Sequence, residues 1–190
     1  MFISLMDTSD AQVAPLTAVS WVPHNPMGDR HPAGHAAALA AMPDQGLAFV
    51  VSTAAPVGTG VLHTARCIMP NGPAVLRVDE VCFPVGAIAQ RHTHDGTGLR
   101  YLVRGSLRIE ARHHTQIMQV GDIWFEAAHD PVRAVALQSV GVTSFVRAMV
   151  IPASYAGKST FTLVDPNDAQ LPRLQVTHRH IDLPVQVDAG

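Results

Sequence analysis

The chain has 190 residues, 47% of them hydrophobic and 15% charged, with a formal net charge of -2 when histidines are neutral. That describes a globular chain with one well-buried core and excludes a disordered chain or a uniformly basic nucleic-acid binder. No stretch approaches the roughly 18 apolar residues of a membrane span, and Met1 to Asp10 meets Asp7 and Asp10 too early for a secretory leader, so a cytoplasmic location is expected.

From the N-terminus, Met1 to Arg30 shows no sustained period and is broken by Pro15, Pro23 and Pro26; it reads as an irregular arm. His35 to Met42 (HAAALAAM), set between Gly34 and Pro43, predicts one short helix of good helix formers. From Gly46 the pattern becomes strand after strand: Leu47–Ser52, Val61–Met69, Ala74–Phe83, Leu99–Arg104, Leu107–Ala111, Thr115–Val120, Ile123–Phe125, Val132–Gln138, Thr143–Ile151 and Thr160–Val164. Turn residues punctuate them at Pro70 to Pro73, Pro84 to Gly86, Gly105, Gly121-Asp122 and Pro152. Short strands without intervening helices predict an all-β sandwich or barrel. The expected organisation is an arm with its short helix over 1–45, a β-barrel over 46–165, and a tail over 166–190 that packs on the barrel or on a partner subunit. Cys67 and Cys82 lack paired spacing and read as buried reduced thiols on strands.

Histidine is the compositional oddity, with 11 copies. Spacing singles out His92-Thr93-His94, because alternate residues of a strand share a face and two imidazoles on one face can chelate one ion. A lone pair of this kind is common by chance. The same pair between Gly86 and Gly105, followed by the Gly121-Asp122 turn into Trp124-Phe125-Glu126, is far more specific.

Over about Ala74 to Val150 these residues resemble the motifs of the cupin superfamily. Gly86, His92, His94 and Gly105 match the first motif at its intervals, Tyr101 falls where an aromatic is common, and Gly121-Asp122 opens the second motif. The resemblance implies a jelly-roll-like antiparallel β-barrel with a central pocket, and a metal held by His92 and His94. It also has departures. The glutamate ligand of the motif falls on Gly98 and its last histidine on Val132, neither of which can ligate. His129 stands three positions before Val132, where the family usually has glycine, and an altered turn can swing it in as a third ligand; the plainer reading is a solvated turn residue. Glu126, Gln90, Tyr101 or a histidine from the arm or tail are other available donors.

Two functional readings follow. In the first, His92 and His94, completed by His129 or Glu126, hold Fe, Zn, Mn or Ni in a metal-dependent enzyme of dioxygenase or isomerase type. Its substrate would be a small organic acid, diketone or aromatic compound. In the second, the pocket binds or senses a small molecule with no tightly bound metal. Tyr101, Trp124, Glu126 and Arg133 are the expected substrate-binding residues in either case; Arg133 suits a carboxylate. Trp124 and Phe125 should face opposite ways. Arg100, Arg104, Arg108 and Arg112 read as a solvated sheet face, and His178 and His180 share a face if the tail is extended. Covered sheet edges make a homodimer the expected assembly; no nucleic-acid or membrane partner is implied.

Overall fold

A computed structural model describes residues 1–7, 15–23, 34–38 and 46–186. Its elements are antiparallel strands with two 3-10 turns, at Ala153–Tyr155 and Pro166–Gln170. Three five-stranded sheets are formed.

The first sheet contains β1 (Phe2–Asp7), β2 (Thr17–Val22), β3 (His35–Ala38), β4 (Leu47–Ser52) and β5 (Val61–Arg66), in the order β3-β2-β4-β1-β5. The central sheet is built on β6 (Ala74–Phe83) and β13 (Thr143–Pro152), which pair along their whole length from Thr143 opposite Phe83 to Pro152 opposite Ala74. β8 (Thr97–Arg104) and β11 (Ile123–Glu126) extend it on one side and β15 (Val176–Val185) on the other. The third sheet runs β10 (Thr115–Gln119), β9 (Ser106–Glu110), β12 (Val132–Ala136), β7 (Ile88–His94) and β14 (Phe161–Leu163).

The central sheet is covered on both faces, which is why every residue of β6 is buried. Leu76, Val78, Leu99, Val146, Ala148 and Val150 point one way, onto Ile3, Leu5, Val19, Trp21, Phe49 and Val51 of the first sheet. Val81, Phe83, Leu102 and Phe145 point the other way, onto Leu107, Ile109, Val132 and Ala134 of the third. Buried aromatic and branched side chains of this kind supply about 1.5–3 kcal/mol each in transfer free energy, so the two seams hold the layers together. The central and third sheets face each other as a jelly roll does, with open edges. They do not close into a barrel, so the closed-barrel expectation is corrected to facing sheets.

The arm also departs from expectation. Phe2–Asp7 and Thr17–Val22 are strands. Ile3 to Met6 are buried on successive positions, so both faces of β1 are covered and the alternation that marks a half-buried strand is absent. The expected helix is not formed at its start: His35–Ala38 is β3, paired to β2 from Val22 opposite His35 to Val19 opposite Ala38. A four-residue alanine-rich run gains little from helix propensity, and ladder pairing outweighs it. The rest of that segment, 39–42, lies outside the described residues. The tail forms β15 along β6, with a bulge between Arg179 and Ile181. Both cysteines are free and buried; Cys82 is on β6 and Cys67 just follows β5. Burial pushes each thiol up to about 11. Among the described residues no helix is long and apolar enough to cross a membrane.

Candidate functional site

Between the central and third sheets lies a cavity of about 530 Å3, within the range of small-molecule sites. A bulge in β7 places the histidines in it. Val132 of β12 faces His92 and Ala134 faces Ala89, so β7 spends one residue more than its partner across Gln90 and Arg91. The side-chain face switches there, and Ala89, His92 and His94 all line the cavity.

The hydrogen bonds assign both imidazole tautomers. His92 Nδ1 lies 2.7 Å from the Gln90 carbonyl; a carbonyl only accepts, so Nδ1 carries the proton and Nε2 is a bare acceptor. His94 Nε2 lies 3.0 Å from Arg147 Nη1, which only donates, so the His94 proton sits on Nδ1 and is donated to Thr160 Oγ1 at 3.2 Å. Both rings are neutral. Burial pulls His92 down to about 4, aided by the Arg147 and Arg100 charges and opposed by the Gln90 carbonyl and Glu126. His94 is held well below the ordinary range by burial and then by Arg147. The Phe161 ring stacks on His92 at 4.2 Å between centroids, and the Arg173 guanidinium lies over the Phe161 ring, 4.1 Å from its centroid.

Three buried arginines surround the pair, each matched by a carboxylate. Arg147 of β13 is gripped at both ends by Asp79 of β6, Nε at 2.6 Å and Nη2 at 3.0 Å. Arg100 of β8 meets Glu126 at 2.8 Å and donates to the Gly98 carbonyl at 2.7 Å. Its full burial lowers it only to about 10, so it stays charged near neutral pH. Arg77 of β6 is bound by Asp182 at 2.7 and 2.8 Å and by the Tyr155 and Lys158 carbonyls. Trp124 Nε1 donates to Glu126 at 2.8 Å. Phe83, Ile109, Val132 and Phe145 complete an apolar floor.

Of the residues expected at the site, His92, His94, Trp124 and Glu126 line this cavity, and Phe125 faces outward, 37% exposed. Three others lie elsewhere. His129 sits on the turn after β11 with φ 64°, its side chain 71% exposed and 3.8 Å from Asp95. It satisfies the left-handed position the motif gives to glycine without entering the cavity. Tyr101 packs toward the first sheet, and Arg133 pairs with Glu110 at 3.0 Å on the outer face of β12. Arg100, read as part of a solvated face, is 1% exposed within the cavity wall. Asp79, Arg147, Phe161 and Arg173 were missed. The signal for the first two was available: Arg77 and Asp79 at alternate positions of a strand rich in branched apolar residues, and Arg147 as the one charged residue of β13.

The donor set does not fit a divalent metal. The His94 nitrogen that would ligate accepts from a permanent cation, Arg147. Gly98 has no room for a ligand, since even a Cβ there would lie 1.9 Å from the Ala148 carbonyl oxygen. Val132 is apolar, and Glu126 is committed to Arg100 and Trp124. Among the described residues no group of three or more His, Cys, Asp or Glu is placed to hold an ion.

No family profile matches the chain, and no curated protein matches it. Solved structures similar to parts of it include an RmlC-like cupin from Shewanella frigidimarina, with 19% identity over 42% of this chain and 68% of that one and a TM-score of 0.37. Another is the DMSP lyase DddQ from Ruegeria pomeroyi, with 16% identity, TM-score 0.41, and 48% of this chain against 44% of that one. A third is the oxalate decarboxylase of Lactobacillus farciminis, with 10% identity over 90% of this chain and 78% of that one at a TM-score of 0.46.

Proposed function

We propose that this chain is a small-molecule-binding cupin whose cavity works without a bound metal ion. The observation that carries the reading is the Asp79–Arg147–His94 chain: a guanidinium, locked by two hydrogen bonds to a buried carboxylate, donates to the imidazole nitrogen a metal would need. The remaining features suit an organic ligand. The floor is aromatic and aliphatic, the internal charges are paired, and Trp124 and Phe145 meet edge to face at 5.2 Å.

Metal content and ligand binding test this together. The full chain, expressed with supplemented iron, zinc, manganese and nickel, should carry under about 0.2 equivalents of any of them, against the near-stoichiometric loading of a three-ligand site. Thermal stabilisation by one-ring aromatic compounds should persist in EDTA. Near-stoichiometric metal that disappears when His92 and His94 are replaced by alanine would overturn the reading in favour of a metal-dependent enzyme.

A further inference from the structure

The polarity of the hydrogen bonds left open in the cavity narrows its ligand, given the metal-free reading above. Each interior arginine and the Trp124 indole already has a protein acceptor. Arg147 is taken by Asp79 and His94, Arg100 by Glu126 and Gly98, Arg77 by Asp182 and two carbonyls, and the Trp124 indole by Glu126. Two acceptors stand open beside them. His92 Nε2 carries a lone pair and has no hydrogen-bond partner among the described residues, because its proton is fixed on Nδ1 by the Gln90 carbonyl. Gln175 Oε1, on the segment that closes the cavity before β15, is buried without a partner. An open acceptor in an apolar wall favours a ligand group that donates to it, since a ligand acceptor placed against it would lose its water and gain nothing.

Charge is distributed just as unevenly. The three interior arginines are neutralised by Asp79, Glu126 and Asp182. Arg179, near the mouth, is spent on the Gly157 and Lys158 carbonyls. Arg173 makes no ion pair among the described residues; its guanidinium lies over Phe161, which in turn stacks on His92. The open acceptor and the open cation therefore both belong to groups in contact with the Phe161 ring.

We infer that the cavity takes a hydroxylated organic acid with a one-ring body. Its hydroxyl donates to His92 Nε2, its ring rests on Ile109, Trp124 and Phe145, and its carboxylate meets Arg173 at the mouth. His92 is a recognition residue in this arrangement: it distinguishes a hydroxyl from an ether or a hydrogen at the same position. Arg173 distinguishes an acid from its ester.

Matched probes test the two contacts separately. The para-hydroxy acids 4-hydroxybenzoate, 4-hydroxyphenylacetate and 3-(4-hydroxyphenyl)propanoate span the separations the stack allows. By calorimetry on the full chain in EDTA, at least one should bind on the order of tenfold more tightly than its 4-methoxy counterpart, the factor expected when a buried acceptor loses its donor. It should also bind a few-fold more tightly than its methyl ester, the smaller factor of a rim charge. His92→Phe should erase the hydroxy-over-methoxy preference, and His92→Gln, which keeps an acceptor, should restore part of it. Arg173→Gln should erase only the acid-over-ester preference. The wild-type preferences need no variant, so a poorly folding His92→Phe leaves the test intact. Binding of the methoxy acids or esters as tightly as the hydroxy acids, or no binding by any of the three hydroxy acids in protein that contains no metal, would overturn the inference while leaving the metal-free cavity standing. Stoichiometric metal in the same preparation would instead overturn the reading beneath it.

Discussion

Acidification should destabilise this protein well above the carboxylate range, and His92 provides the magnitude. Its folded-state pKa is about 4 against an ordinary 6.5, because the ring is buried and the nearby Arg147 and Arg100 charges oppose its protonation. A histidine with a depressed pKa contributes its full share of stability above the unfolded value, where it is neutral in both states, and loses it as pH falls toward the folded value. Between about pH 7 and pH 5 the unfolded ring takes up a proton that the folded ring refuses, which costs about 2 kcal/mol, rising to about 3 kcal/mol near pH 4. That is a large part of the stability of an ordinary domain. His94 is shifted in the same direction and adds to the loss in the same window. The assay is urea unfolding of the wild type and His92→Gln at about pH 7, 6 and 5. Wild-type stability should fall across the series, and the variant, which cannot titrate at this position, should lose about 2 kcal/mol less over it. A variant whose stability falls as steeply as the wild type's would refute the assignment of a buried, neutral His92.

Other expectations follow from the same geometry. Arg147→Met strands the Asp79 carboxylate in the interior and should cost about 3–5 kcal/mol in urea unfolding, while pairing it with Asp79→Asn should recover most of that loss. Gly98→Ala forces a methyl group against the Ala148 carbonyl oxygen and should lower stability by about 3 kcal/mol or more, read as a drop in Tm; a neutral outcome would mean β8 and β13 are not in this register. Phe161→Ala removes the ring stacked on His92 and lets water reach the imidazole, so its pKa, followed by NMR titration, should rise from about 4 back toward 6.5.

Much of the architecture is legible in local pattern. Turn chemistry at Gly86, Gly105 and Gly121 and the runs of branched residues placed most of the strands from Leu47 to Leu163. The arm was not legible for a physical reason. β1 is buried on both faces and so shows no alternation, and β3 is a helix-forming tetrapeptide held extended by β2. The site divides the same way. Spacing put His92 and His94 on one face, although the bulge at Gln90 and Arg91, which aims that face inward, leaves no mark in the residue types.

The sequence by itself determined that the chain is a β protein, which glycines turn it, and that two of the motif's ligand positions, Gly98 and Val132, carry no ligand. Only the tertiary structure decided what stands beside the histidine pair. Arg147 and Asp79 lie 68 residues apart in the chain and meet because β13 and β6 pair along their full length. No local pattern encodes that pairing. It is nonetheless the contact that occupies the ligating nitrogen of His94.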